Sequence, residues 1–212
     1  MASGLPQPAP GSWPSSAGFC ATRASQPAAH LCRLTHDHAR VVFRKEINNI
    51  MAIVVDKLIP EFEANATSDV KVSNTSHNGQ ILVLFFYPKD NTPGCTTEAM
   101  EFRDQYEAFE QAGAVVFGVS RDNMTSHDGF KEKLGLPYEL IADTEEKMCH
   151  MFGVVKNKIM YGKKVKGIER STFLIGPDGV LRQEWRGVKV AGHVDAVLKA
   201  VQELKETLAT AE

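Results

Sequence analysis

The sequence predicts an α/β fold: a central mixed sheet with helices on both faces. Three observations predict it. Residues 81–87 form an unbroken apolar run, as in a strand covered on both sides. After that run, apolar residues recur at spacings of three and four, the period of a helix packed by one face. Toward the C-terminus, two apolar runs flank Gly176-Pro177-Asp178-Gly179, a β-hairpin signal.

The elements follow in order. The run of residues 81–87 is broken at Thr92-Pro93-Gly94. Ala99, Phe102, Tyr106 and Phe109 then give one apolar helix face, which Gly113 ends. Residues 114–119 read as the next buried strand. Thr125-x-x-Asp128 reads as a capping box that opens a helix stopping near Gly135. Residues 138–142 read as a short strand, and residues 145–152 as a short helix ended by Gly153. Residues 156–166 are polar and basic and match neither period. Residues 172–175 and 180–185 make the hairpin, and the last helix presents Val194, Val197, Val201, Leu204 and Leu208. Strand, helix, strand, helix, strand, helix, hairpin, helix is the order of a thioredoxin-like fold.

Composition bounds the function. The 212 residues carry 24 basic and 26 acidic side chains, a net charge of −2, and 43% are hydrophobic. That suits one domain plus an appendage. The near balance of charge argues against a nucleic-acid partner. No apolar run approaches the ~20 residues of a membrane span, so no membrane partner is expected. Residues 1–50 stand apart. They hold five basic residues (Arg23, Arg33, Arg40, Arg44, Lys45), two acidic ones (Asp37, Glu46) and five of the ten prolines. No periodicity appears before about Val41, so residues 1–50 read as a disordered N-terminal extension to a domain of residues 51–212. Two origins stay open for it: an upstream addition of the gene model, with Met51 the real start, or an organellar transit segment.

The four cysteines, Cys20, Cys32, Cys95 and Cys149, form no C-x-x-C pair. They read as reduced thiols of a cytoplasmic compartment; an organellar location is the alternative if residues 1–50 are a transit segment. His30-x-Cys32-x3-His36-x-His38 has the look of a metal cluster but lacks a second ligand pair. No metal or organic cofactor is expected.

The candidate site is the stretch of residues 88–95, Pro88-Lys89-Asp90-Asn91-Thr92-Pro93-Gly94-Cys95, between the buried strand and its helix. In an open α/β sheet, chemistry collects at the carboxyl ends of strands. Cys95 falls in the first helical turn, where unpaired N–H groups and the dipole stabilise an anion such as a thiolate. The Thr92 hydroxyl can turn into the same pocket, and Pro88 can limit solvent. A free cysteine is otherwise most often a buried structural residue. The Pro88-x3-Thr92-x2-Cys95 spacing changes that balance. It resembles the peroxiredoxin active-site motif, and the fuller string of residues 86–96 is similar to the bacterioferritin-comigratory, or Q, class. Arg103-Asp104, Gly118-Val119-Ser120, Ser126-His127-Asp128-x-Phe130 and residues 170–175 match the same pattern, over roughly residues 51–205.

That resemblance implies a thiol peroxidase acting on hydrogen peroxide and alkyl hydroperoxides. Cys95 would be the attacking thiolate and become a sulfenic acid. Thr92 would donate to the peroxide, and Arg170 would reach the pocket from a later strand. Thioredoxin or glutathione/glutaredoxin would be the reductant, and the chain would be a monomer. The sequence departs from the class at the resolving cysteine: Met100 stands five residues after Cys95, and Phe130-Lys131 occupies the other usual place. Cys149 is the remaining candidate resolving thiol in the domain, and a one-Cys-like cycle is expected. The alternative from another class is a thioredoxin-fold holdase or interaction module without turnover. His127 is expected to be structural or on the surface, and Tyr87 either lines the pocket or packs. Lys156, Lys158, Lys163, Lys164 and Lys166 are expected to form a solvated charged loop.

Overall fold

Strand β3 (Ile81–Phe86) is buried along its whole length and forms the centre of the sheet in the computed structural model. Residues 53–160 and 163–210 are described, without the side chains of residues 158–160 and 163–164. The chain divides into two units, Met1–Asn49 and Ile50–Glu212, and every described residue lies in the second. The N-terminal extension, with Cys20, Cys32 and the histidine-rich stretch, lies outside the described residues.

The other strands are β1 (Glu63–Asn65), β2 (Lys71–Ser73), β4 (Ala114–Ser120), β5 (Glu139–Ala142), β6 (Val155–Met160), β7 (Lys163–Ile168), β8 (Ser171–Ile175) and β9 (Leu181–Arg186). The helices are α1 (Pro93–Asp104), α2 (Tyr106–Gln111), α3 (Met124–Leu134), α4 (Lys147–Met151) and α5 (His193–Ala209). Five strands form the main sheet in the order β5-β4-β3-β8-β9. β3 runs parallel to β4 and antiparallel to β8, so the sheet is mixed. β1–β2 and β6–β7 are separate two-stranded hairpins.

The sheet separates two cores, which explains why β3 reads as unbroken apolar sequence. Ile81, Val83, Phe85 and Tyr87 face a cluster with Ala99, Phe102, Phe109, Phe130 and Val197. Leu82, Leu84 and Phe86 face the other, with Ile59, Phe62, Met148, Cys149 and Phe152. Helices lie on both faces, but unequally. α1, α2, α3 and α5 pack on the first face, whereas α4 and the segment around β1–β2 cover the second.

Local chemistry corrects several sequence expectations. The helical pattern after Gly94 is two helices meeting at Gln105, whose φ of −107° leaves the helical region. Its side-chain amide donates to Asp195 of α5 at 2.6 Å. The cap of α3 is Asn123, not Thr125. The Asn123 side chain accepts from the Ser126 N–H at 2.9 Å, and Thr125 falls inside the first turn. Gly135 ends α3 in the left-handed conformation, φ 59°. β5 starts at Glu139, because Tyr138 turns its hydroxyl onto the Ala99 carbonyl oxygen of α1 at 2.8 Å. The basic stretch is the β6–β7 hairpin, paired from Val155↔Ile168 to Met160↔Lys163. Lying outside the main sheet, it has little need of the apolar alternation that would have revealed it. No helix among the described residues is long and apolar enough to cross a membrane.

Candidate active site

β3 ends at Phe86, and the Tyr87 N–H still reaches the Val119 carbonyl oxygen at 3.1 Å. Residues 88–92 then turn the chain into α1. Thr92 is the N-cap residue in an extended conformation, and Pro93 opens the helix, where a missing N–H costs nothing. Thr96 makes the first intrahelical bond, to the Thr92 carbonyl oxygen at 2.9 Å. The Gly94 and Cys95 N–H groups precede it and have no i−4 acceptor within the helix. Cys95 therefore sits in the turn where backbone donors and the helix dipole favour negative charge.

Arg170 enters from the link between β7 and β8. Its Nη2 lies 3.2 Å from Cys95 Sγ, and its Nη1 is ion-paired with Glu98 Oε2, one turn further along α1. Nη1 also lies 3.5 Å from the Gly94 carbonyl oxygen. Gly94 eases this approach, since a Cβ there would stand 3.3 Å from Arg170 Nη2, a tight contact. The Arg170 side chain is only 15% exposed and that of Glu98 is 0% exposed. Burial raises the Glu98 carboxyl to about 7, and the Arg170 cation offsets only part of that rise. Glu98 Oε1 is buried without a hydrogen-bond partner among the described residues.

Thr92 frames the other side. Its hydroxyl donates to the Lys89 carbonyl oxygen at 3.0 Å, which closes the turn, and Pro88 is half-buried. The expected donation to the peroxide is thereby corrected, since the one proton is spent and the oxygen is left to accept from a peroxide O–H. On the same sheet face, Thr172 Oγ1 lies 2.7 Å from His193 Nε2 at the start of α5. Burial, with the Arg170 charge adding to it, pushes His193 down to about 4, so this imidazole is neutral at pH 7.

The structure thus brings Cys95, Thr92 and Arg170 together at one helix N-terminus, places Pro88 in the turn that leads to it, and leaves Cys149 elsewhere. Cys149 is fully buried in the core on the opposite face of the sheet from Cys95. Burial pushes its thiol up strongly, and the Asp143 carboxylate beside it adds to that. Met100 is 36% exposed, and Lys131, at the other usual resolving place, is ion-paired with Glu139. His127 is not on the surface; it is fully buried against Asp90. Tyr87 is also buried, and its hydroxyl donates to Asp90 at 2.8 Å. Glu98 and His193 were missed by sequence reasoning. Glu98 falls on the same helical stripe as Cys95 and Phe102, and a buried carboxylate in that stripe was the available signal.

This arrangement can hold a thiolate, orient a small oxidant against it and steady a developing oxyanion. Comparison with known proteins points the same way. Residues 55–184 match the model of the AhpC/TSA family. The chain is 45% identical to the peroxiredoxin Bcp of Bacillus subtilis, over 74% of this chain and 99% of the relative. It is 54% identical to the peroxiredoxin Bcp of Xanthomonas campestris, over 60% of this chain and 79% of the relative. Among solved structures, peroxiredoxin Q of Xanthomonas campestris superposes with a TM-score of 0.68 at 44% identity, covering 71% of this chain and 99% of that one. Another is similar at TM-score 0.66 and 47% identity, covering 68% of this chain and 92% of that one. It comes from work on alkyl peroxide reduction by the Xanthomonas bacterioferritin comigratory protein.

Proposed function

This chain belongs to the AhpC/TSA family, and from that membership we propose that Cys95 is the peroxidatic cysteine of a one-Cys-like thiol peroxidase. The chain is a peroxiredoxin of the Bcp, or Q, class, an enzyme acting on peroxides. The observation that carries the assignment to Cys95 is the 3.2 Å contact between its Sγ and Arg170 Nη2 at the N-terminus of α1.

In the proposed reaction the Cys95 thiolate attacks one oxygen of the peroxide. An S–O bond forms, the O–O bond breaks and sulfur is oxidised by two electrons. The other oxygen leaves as hydroxide or alkoxide and takes a proton from solvent. Arg170 and the N–H groups of the first turn stabilise charge as it moves to that oxygen, and Thr92 orients the peroxide. The resulting sulfenic acid is attacked by an external thiol, giving a mixed disulfide and water. A second thiol then releases Cys95 and carries away the disulfide.

Hydrogen peroxide and alkyl hydroperoxides are the proposed substrates. The reductant is thioredoxin or glutathione/glutaredoxin, acting on a monomer in a cytoplasmic or organellar compartment. An external donor is favoured because Cys149, the one other cysteine among the described residues, lies in the opposite core. The relatives' shared name, peroxiredoxin, favours turnover over a holdase or interaction module. Cys95→Ser tests the assignment: thiol-dependent consumption of peroxide should disappear while the circular dichroism spectrum is kept. Turnover retained by that variant would place the chemistry elsewhere.

A further inference from the structure

Several polar contacts converge on one buried aspartate in the loop that leads to Cys95. Tyr87 Oη donates to Asp90 Oδ1 at 2.8 Å, and Ser126 Oγ donates to Oδ2 at 2.7 Å. His127 Nδ1 stands 2.9 Å from the same Oδ2. The Asp90 N–H donates to Asp122 Oδ2 at 2.8 Å, which also accepts from Ser120 Oγ at 2.8 Å. Burial raises the Asp90 carboxyl, but hydrogen bonds from His127 and Ser126, with the His127 charge and Tyr87, more than reverse this. Asp90 is therefore held below its usual range as a carboxylate.

The second ring nitrogen of His127 decides what the imidazole is. His127 Nε2 lies 3.2 Å from the Ile141 carbonyl oxygen of β5. Both nitrogens thus face oxygens that only accept, an ionised carboxylate and a carbonyl. A neutral imidazole has one N–H and would turn a lone pair toward one of them. Protons on both nitrogens satisfy both partners and balance the buried charge of Asp90. Of the other titratable groups here, the Tyr87 phenol lies 3.4 Å from Nδ1 and is pushed well up by burial, so it stays neutral. Asp122 stands on the far side of the Asp90 backbone.

The pair grips the loop that frames the site. Asn91, next to Asp90, has a φ of 57°, a left-handed conformation that asparagine adopts more readily than other non-glycine residues. Its Oδ1 accepts from Lys133 Nζ of α3 at 3.0 Å. Helix α3 therefore holds two consecutive loop residues, directly before the turn that places the Thr92 hydroxyl.

We propose that His127 is a positioning residue: as an imidazolium seated between Asp90 and the Ile141 carbonyl, it ties α3 and β5 to the active-site loop and so fixes Pro88 and Thr92 around the peroxide. The kinetic consequence rests on Cys95 being the peroxidatic cysteine, whereas the protonation state stands without it. Nitrogen-15 NMR of the full chain at pH 7, assigned by comparison with His127→Gln, should find a proton on both ring nitrogens of His127. A spectrum with one protonated nitrogen would overturn the proposal, and if His127→Gln unfolds the chain the ring signals are assigned instead through bonds from the His127 backbone resonances of the unsubstituted protein.

For folded His127→Gln and Asp90→Asn, stopped-flow oxidation of Cys95 by peroxide should slow by about 10–100-fold, since small misplacements around reacting atoms carry costs of that order. The double variant should be little worse than either single one, and the rate at which a small thiol reduces oxidised Cys95 should be unchanged. A folded His127→Gln with a lower melting temperature and a wild-type peroxide rate would overturn positioning. Unsubstituted protein whose Cys95 does not react with peroxide would instead overturn the function proposed above and leave the NMR result in place.

Discussion

Arg170 is shared between two acids, and the sharing makes the site sensitive to pH. One guanidinium nitrogen holds Glu98 and the other reaches Cys95, so Glu98 aims the group it competes for. Glu98 has an ordinary value of 4.5 and is raised to about 7 in the fold. The folded state binds that proton more tightly than the unfolded chain. The stability it contributes is full below about 4.5 and is lost as pH rises through about 7. Urea unfolding should therefore show Glu98→Gln gaining on the wild type from pH 4.5 to 7, by about 3 kcal/mol. A stability difference that stays constant over that range would contradict it. Arg170→Met should slow the reaction of Cys95 with peroxide by about 10²–10³-fold, read by stopped flow. Thr92→Val removes an acceptor for the peroxide O–H and should slow it by about tenfold. Wild-type rates in both would mean that the pocket is drawn wrongly. Cys95, Thr92 and Pro88 could be singled out in the sequence because a motif fixes their spacing, and Arg170 because residues 170–175 resemble the family's. Glu98 and His127 were not, because their roles arise from contacts across the fold, with Arg170 and with Asp90.

At the scale of elements, periodicity revealed segments that present several apolar residues to a core and missed those that contribute only one or two, such as Val72 of β2 and Ile168 of β7. β3, β4, the β8–β9 hairpin and α5 each present apolar residues to a core, and the sequence marks them. The β6–β7 hairpin and the three-residue strands β1 and β2 leave no such mark. Helix starts depend on one side chain finding one N–H, so the reading of Thr125 as a cap fell two residues from Asn123. Asn123→Ala should lower stability by about 1 kcal/mol, and Thr125→Ala by clearly less, as thermal melts would read. Equal losses would return the cap to Thr125. Because α3 also carries Ser126, His127 and Lys133 against the active-site loop, fraying its start should be felt at the site as well.

For the whole molecule, the decisive feature is a sheet with a different core on each side. Cys95 belongs to the core covered by α1, α2, α3 and α5, and Cys149 to the core behind it. A disulfide needs Cα atoms within about 7 Å. Joining residues across the sheet would require unfolding α1 or α4, and the raised Cys149 thiol is a poor nucleophile. On this geometry we propose that Cys95 alone carries the oxidation and that an external thiol relieves it. The most direct test is mass spectrometry of the unsubstituted protein after one equivalent of peroxide, with a dimedone-type trap present. Trapped sulfenic acid on Cys95 is the expected product, advancing to sulfinic acid with excess peroxide and no trap. Quantitative recovery of a linked Cys95–Cys149 peptide would contradict it.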